Sequence, residues 1–408
     1  MTTHLTPQRE RWLLLTLASI QFTSVLDFMI MMPLGPQLTK LFGISASEFG
    51  FLVSAYTFSA GLSGFLASTY IDRFGRKRMM LTLYSLFGVA ALACSFASSF
   101  AWLMAARVAS GFFGGVLMAL SQTIVAEVVP FERRGRAMGV VMTSFSVATV
   151  AGVPLALFLA SHFNWHAPFL VIAALVTVVA LSASKTLPSL KGHVQAHDGA
   201  NSLRVIVANL RAVLVDPNHV RAFAMSASMV FAGFVVIPYI TLYLQGNAGF
   251  QSDQVPYVYL FGGISTLVTA RWIGHWSDRA GKAYAFRRLA LLMPLPLLGM
   301  TLSAELPMAG VLFVSSVLFV VMSGRMIPGM ALIGASADPQ RRGSFMTLNS
   351  AVQSLAMGTA ALIGGLILGR DADGNLTHYW VSALVGGGAS LLSFVLSSRL
   401  RLHGATTN

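Results

Sequence analysis

Twelve apolar runs, each long enough to cross a bilayer as a helix, punctuate the chain at about 12–33, 47–69, 78–98, 101–127, 137–160, 166–184, 219–244, 254–273, 287–303, 309–335, 344–368 and 379–398. A helical span needs roughly 17–25 predominantly apolar residues, so the pattern predicts an all-α polytopic membrane protein with twelve transmembrane helices. The first run is too long for the apolar core of a signal peptide and lacks a small-residue cleavage site, so it reads as a retained helix. One long polar interruption, about Leu187 to Asn218, divides the chain. Within it Leu203, Ile206, Val207, Leu210, Val213 and Leu214 repeat at helical spacing against Arg204 and Arg211, which predicts a short amphipathic helix on the membrane surface. The expected organisation is a six-helix bundle over 1–186, a central loop over 187–218 and a second six-helix bundle over 219–408.

Composition agrees: 55% of residues are hydrophobic and 10% charged, against about 25% charged in a soluble domain. The formal net charge of +13 would suit nucleic acid, but its distribution excludes that reading. With the amino terminus in the cytoplasm, Arg73, Arg76, Lys77, Arg78, Arg133, Arg134, Arg136, Arg279, Lys282, Arg287, Arg288, Arg341 and Arg342 all fall on the cytoplasmic side, and the opposite loops keep only Lys40 and Arg370. That asymmetry follows the positive-inside rule and places both termini in the cytoplasm, in a bacterial-type inner (plasma) membrane. The single Cys94 lies in an apolar run, so neither a disulfide framework nor a thiolate metal site is expected. No phosphate-cradling Walker loop and no enzyme constellation is present, so neither ATP nor another cofactor is implied.

Two basic motifs recur. Asp72-Arg73-Phe74-Gly75-Arg76-Lys77 returns as Asp278-Arg279-Ala280-Gly281-Lys282, 206 residues later, and Glu132–Met138 returns as Gln340–Met346, 208 residues later. Near-equal offsets between corresponding apolar runs mark a duplicated bundle, and parallel halves of this kind place a substrate site near the membrane midplane where they meet. On these residues the chain resembles the major facilitator superfamily over nearly its whole length, and most of all its twelve-helix drug:proton antiporter and sugar-efflux group. The family's first cytoplasmic signature reads G-x-L-A-D-R-x-G-R-K. Here its leading Gly is Ser68, while the second copy keeps Gly274. The resemblance implies that Asp72, Arg76 and Glu127, with Arg73, Asp278 and Arg279, gate the transport cycle. An Asp at a helix end can accept from the open N–H groups of a neighbouring helix. If these basic residues set topology alone, the embedded Asp has no purpose.

Asp27 is the one acid deep within an apolar run, and Arg107 is a cation at comparable depth. Either charge costs roughly 2.5–3.5 kcal/mol at a bilayer centre on insertion scales, so each needs a partner or a cavity. Asp27 is 16 residues from the start of its helix, about 24 Å, and Arg107 is 20 residues from Glu127, about 30 Å. Helix tilt absorbs that difference, so the two are expected to meet. Burial favours the neutral carboxyl and a nearby Arg favours the carboxylate, a balance suited to carrying a proton. The resemblance links Arg107, with Gly111, to proton coupling; the competing reading is a static ion pair that fixes packing. Ala151-Gly152-Val153-Pro154 resembles the family's antiporter signature, with a residue inserted between Gly and Pro, and Pro33 and Pro36 resemble its helix 1 feature.

The expected substrate cavity comprises Tyr56, Met118, Gln122, Tyr239, Tyr243, Arg325, Asn349 and Gln353. Asn349 and Gln353 lie four apart and share a helix face. Met residues such as Met31, Met118, Met322 and Met326 suit an adaptable apolar pocket, although singly they serve equally well in core or lipid contact. Arg325 has no acid at its depth to pair with once Asp27 is paired and must find carbonyls, water or substrate, so a neutral or anionic substrate is expected; the competing reading is an Arg satisfied by carbonyls of a helix bent near Pro328. Together these readings describe a monomeric secondary transporter, in the lipid bilayer, exporting a small organic molecule in exchange for protons. The alternatives are a facilitator or proton symporter for a sugar-like metabolite, and a receptor on a transporter scaffold. The receptor is disfavoured because no sizeable soluble segment exists to carry a signal.

Overall fold

A computed structural model describes residues 6–70, 74–129, 131–188, 211–338, 341–372 and 374–402. All twelve apolar runs are helical, and ten helices among the described residues are long and apolar enough to cross a membrane. The eighth run lies in a 26-residue helix whose C-terminal part carries Arg271, His275, Asp278 and Arg279. The ninth is interrupted at Met293, where Pro294 and Pro296 start a new helix. Proline has no N–H and clashes with the carbonyl four residues back, which breaks the ladder there.

Two compact units result. The first comprises Met1–Met31 and Ala55–Ile206, the second Met32–Ser54 and Val207–Asn408. The division differs from a cut at the central loop, because Met32–Ser54 packs with the second unit. The sequence reason is glycine: a Cβ on Gly50 would lie 2.4 Å from the Tyr239 hydroxyl, and one on Gly365 would lie 2.8 Å from the Ala46 carbonyl. The Phe49 and Tyr239 rings meet edge to face with centroids 6.2 Å apart. Only a residue without a side chain permits that approach.

In chain order the helices are α1 (Pro7–Ile30), α2 (Gly35–Phe42), α3 (Ala46–Tyr70), α4 (Arg76–Ser95), α5 (Phe100–Val128), α6 (Phe131–Val147), α7 (Val153–His162) and α8 (Ala167–Thr186). They continue with α9 (Pro217–Phe234), α10 (Ile240–Gly246), α11 (Val255–Ala280), α12 (Lys282–Leu292), α13 (Pro294–Thr301), α14 (Met308–Ser336), α15 (Arg342–Ile367) and α16 (Tyr379–Ser397). A two-residue hairpin, Gly369–Arg370 against Leu376–Thr377, precedes α16.

The antiporter-like stretch joins α6 to α7 through a π-helical turn at Ala148–Gly152, just before Pro154. A wide turn accommodates the proline without leaving the bundle. Gly152 lets α1 approach, since a Cβ there would meet the Leu26 side chain at 2.9 Å. In the same way Gly111 and Gly115 of α5 bring the backbone of α3 close, with ideal Cβ positions 2.2 Å from the Tyr56 carbonyl and 2.5 Å from the Ala60 carbonyl. In the second unit the core gathers Phe223, Met229, Phe286, Leu332 and Phe345. Most of the amphipathic segment expected in the central loop lies outside the described residues.

Candidate functional site

Asp27 stands in the last turn of α1, where the final four carbonyls have no intrahelical partner. The amide of Met31 turns to Met29 and leaves the Asp27 carbonyl open. Arg107 of α5 fills both needs: its Nη1 donates to Asp27 Oδ2 at 2.8 Å and to the Asp27 carbonyl at 3.1 Å. Both residues are fully buried. The Arg107 guanidinium also lies over the Tyr56 ring, 4.5 Å from its centroid, and that ring rests against Phe28 at 5.3 Å. Tyr56, expected among the substrate residues, thus forms a wall of the charge pair. Three polar atoms of this neighbourhood have no nitrogen or oxygen partner: Asp27 Oδ1, Arg107 Nε and Ser110 Oγ, the last beside the buried Cys94 thiol. One oxygen of the carboxylate is committed and the other is open.

A second ion pair closes the far end of α5. Arg76 opens α4 and Glu127 lies in the last turn of α5, each at the end of a helix whose dipole disfavours its charge. They compensate one another, with Arg76 Nε at 2.8 Å and Nη2 at 2.7 Å from Glu127 Oε1. Arg76 is buried, and that carboxylate compensates its charge. Asp72 and Arg73 fall outside the described residues. In the second copy of the motif Asp278 accepts from Lys282, one turn on, rather than from a neighbouring helix. That bond and charge hold the Asp278 carboxyl below the usual range. Arg279 is exposed in the last turn of α11.

The other candidates separate into distinct places. Met118 and Gln122 lie exposed on α5, four residues apart on one face. Tyr239 is buried, donates to the Ala361 carbonyl and packs on Phe49. Tyr243 is buried with its ring 4.8 Å from that of Tyr379. Gln353 donates to Ser226 Oγ at 2.8 Å, while Asn349, one turn before it, is buried with neither amide atom partnered.

Arg325 is buried in α14 and has no carboxylate partner among the described residues. Its Nη2 donates to the Met229 carbonyl of α9 at 2.6 Å and its Nη1 to Ser390 Oγ of α16 at 3.1 Å. Ser390 in turn donates a hydrogen bond to the Ala290 carbonyl at 2.8 Å, so a cation ties three helices together. Sequence reasoning missed Ser110, Tyr56 as a partner of Arg107, and the exposed Arg133–Glu10 pair at 3.0 Å. Ser110 had a signal, its position three residues after Arg107 on the same face; the others had none.

A family model described as Major Facilitator Superfamily matches residues 17–357. An uncharacterised MFS-type transporter, YtbD of Bacillus subtilis (strain 168), is 26% identical over 384 residues, 93% of this chain and 94% of that protein. A chloramphenicol resistance protein of Streptomyces lividans is 26% identical over 362 residues, 88% of this chain and 89% of that protein. Among solved structures, a D-xylose–proton symporter superposes with a TM-score of 0.75 at 17% identity, covering 94% of this chain and 96% of its own. A bacterial homologue of the human lysosomal transporter Spinster, in an inward-facing and occupied conformation, gives 0.73 at 15% identity, covering 97% of this chain and 98% of its own.

Proposed function

Because the chain belongs to the Major Facilitator Superfamily, as a multi-pass membrane protein with that family's twelve-helix fold, we propose that it is a proton-coupled exporter of a small organic molecule, working by alternating access. The observation that carries this reading is the Asp27–Arg107 pair: a carboxylate removed from water, held by one cation, with one oxygen still open. A buried charge that served packing alone would be better replaced by apolar side chains, since buried pairs repay their desolvation only with full hydrogen bonding. Asp27 takes up a proton when Arg107 moves off or water reaches it, and releases it when the pair re-forms. Substrate arriving near Arg107 weakens the pair, which ties substrate movement to proton movement. Export is favoured by the similarity to the Streptomyces lividans chloramphenicol resistance protein.

The substrate is neutral or anionic. Asp27 is the only fully buried acid among the described residues, and it is already paired, so an organic cation would find no carboxylate there. Met118, Gln122, Tyr239, Tyr243, Arg325, Asn349 and Gln353 remain the proposed substrate residues, with Asn349 the strongest because its amide is unpartnered. Arg76, Glu127, Asp72, Arg73, Asp278 and Arg279 gate the cycle from the cytoplasmic end, both termini lie in the cytoplasm, and the protein acts as a monomer in the inner membrane.

The test is transport in proteoliposomes carrying an internal pH dye. Substrate moving against an imposed pH gradient should carry protons the opposite way in the wild-type protein, and Asp27→Asn should abolish that linked movement. Protons and substrate moving the same way would establish symport instead. An Asn variant that still accumulates substrate from a pH difference alone would show that Asp27 is a structural charge.

A further inference from the structure

Every other buried serine described in the first unit gives its hydroxyl to a backbone carbonyl, as Ser24, Ser63 and Ser121 do within their own helices and Ser59 does to Val108. Ser110 does not. Its hydroxyl is fully buried, makes no bond to its own helix and has no nitrogen or oxygen partner, with only the weakly hydrogen-bonding Cys94 thiol of α4 beside it. It follows Arg107 by three residues on α5 and so faces the same way, and the buried Cys94 of α4 adjoins both. The remaining unpartnered atoms here are complementary: Asp27 Oδ1 accepts, Arg107 Nε–H donates, and a hydroxyl does either. Leaving such groups unsatisfied costs free energy, most where they are charged. A buried water typically satisfies about three such groups at once.

We propose that Asp27 Oδ1, Arg107 Nε and Ser110 Oγ form a site for one water molecule, through which the coupling proton reaches and leaves Asp27. Ser110 is then a positioning residue of the proton site; the inference rests on the proton-coupled reading above. On uptake, an O–H bond of the protonated water breaks and one forms on Oδ1, leaving a neutral carboxyl and a neutral water. Release reverses both changes and restores the carboxylate that pairs with Arg107. A serine suits the position because its hydroxyl turns. It donates to the water while the water donates to the carboxylate, and accepts from the water once the carboxyl donates in its place. Neither an alanine nor a permanent donor serves both states.

The full-length protein in lipid, compared by infrared difference spectroscopy between acid and alkaline buffer, provides the test. The carboxyl C=O band of Asp27 is identified by its loss in Asp27→Asn. Ser110→Ala should shift that band, remove a water O–H band that responds to H2-18O in the wild type, and lower proton-driven transport roughly tenfold or more. Ser110→Thr, which keeps the hydroxyl, should restore band and transport. Unfolding temperature separates these effects from misfolding, since Ala removes only an unsatisfied group. A band lost in Asp27→Asn but unmoved in Ser110→Ala, with unchanged transport, overturns the water site alone. No band lost in Asp27→Asn overturns both the site and the proton-coupled reading.

Discussion

Removing either partner of the Asp27–Arg107 pair should destabilise the protein unequally, and removing both should cost little. In Asp27→Leu the guanidinium stays buried and charged, keeping only the Asp27-position carbonyl at 3.1 Å and the Tyr56 ring at 4.5 Å. Arg does not deprotonate in proteins, so the charge has no escape, and breaking one side of a buried pair costs about 3–5 kcal/mol. In Arg107→Met the remaining carboxylate can take a proton and become neutral. Its loss is then closer to that of a hydrogen bond to a charged group, about 1.5–3 kcal/mol. The double variant, Asp27→Leu with Arg107→Met, replaces both charges with apolar groups of similar volume, a change that is often neutral or stabilising. The expected order of stability is therefore double variant near wild type, then Arg107→Met, then Asp27→Leu. Unfolding in mixed micelles by titrating denaturing detergent gives the four free energies, and the cycle isolates the coupling. Additive losses, with the double variant the least stable of the four, would refute the reasoning: the two side chains would then act independently.

Four further outcomes follow from particular positions. Gly111→Ala puts a Cβ 2.2 Å from the Tyr56 carbonyl, a backbone atom that cannot swing aside, so it should destabilise by about 1–3 kcal/mol. Gly139→Ala meets nothing within 4 Å and, lying inside a helix, should instead stabilise by roughly 0.5–1 kcal/mol; thermal unfolding of both variants tests the contrast. Glu127→Gln removes the charge facing the buried Arg76 and should slow transport while leaving equilibrium substrate binding within about threefold, less than 1 kcal/mol, as read by parallel flux and calorimetric titration; abolished binding in a folded variant would refute the gating role. The depressed Asp278 carboxyl adds stability that is present above its unfolded pKa and lost as pH falls through its lower folded one. Asp278→Asn should therefore lower the unfolding midpoint slightly at neutral pH, and the difference should vanish once the pH has fallen through the depressed pKa of the folded carboxyl.

Much of the architecture was legible because a bilayer permits few solutions. Lacking water to satisfy backbone groups, an apolar run of about twenty residues must become a helix, and all twelve runs do. The Asp27–Arg107 pair was also legible, since an isolated buried charge advertises its need for a partner and few partners exist, whereas Arg76 and Glu127 came together only through the family resemblance. Arg325 was only half legible. Its want of a carboxylate was visible, but its partners are the Met229 carbonyl and the Ser390 hydroxyl, groups so common that no sequence signal selects them.

Where helices break depended on local chemistry that was partly readable: Pro154 stood out in the sequence, the break at Pro294 was not foreseen, and whether each gave a π turn or a fresh helix depended on neighbouring packing. Grouping of Met32–Ser54 with the second unit was not readable at all, because it comes from glycines meeting Tyr239 and carbonyls far away in sequence. The same holds for Tyr56 over Arg107 and for the idle hydroxyl of Ser110. The sequence alone determined which stretches are helical and which charges had to be compensated, because these follow from transfer free energy along a one-dimensional chain. Only the tertiary structure decided which atoms of those charges are satisfied and which stay open, because hydrogen bonding is settled by distances of a few tenths of an ångström between helices that the sequence does not order.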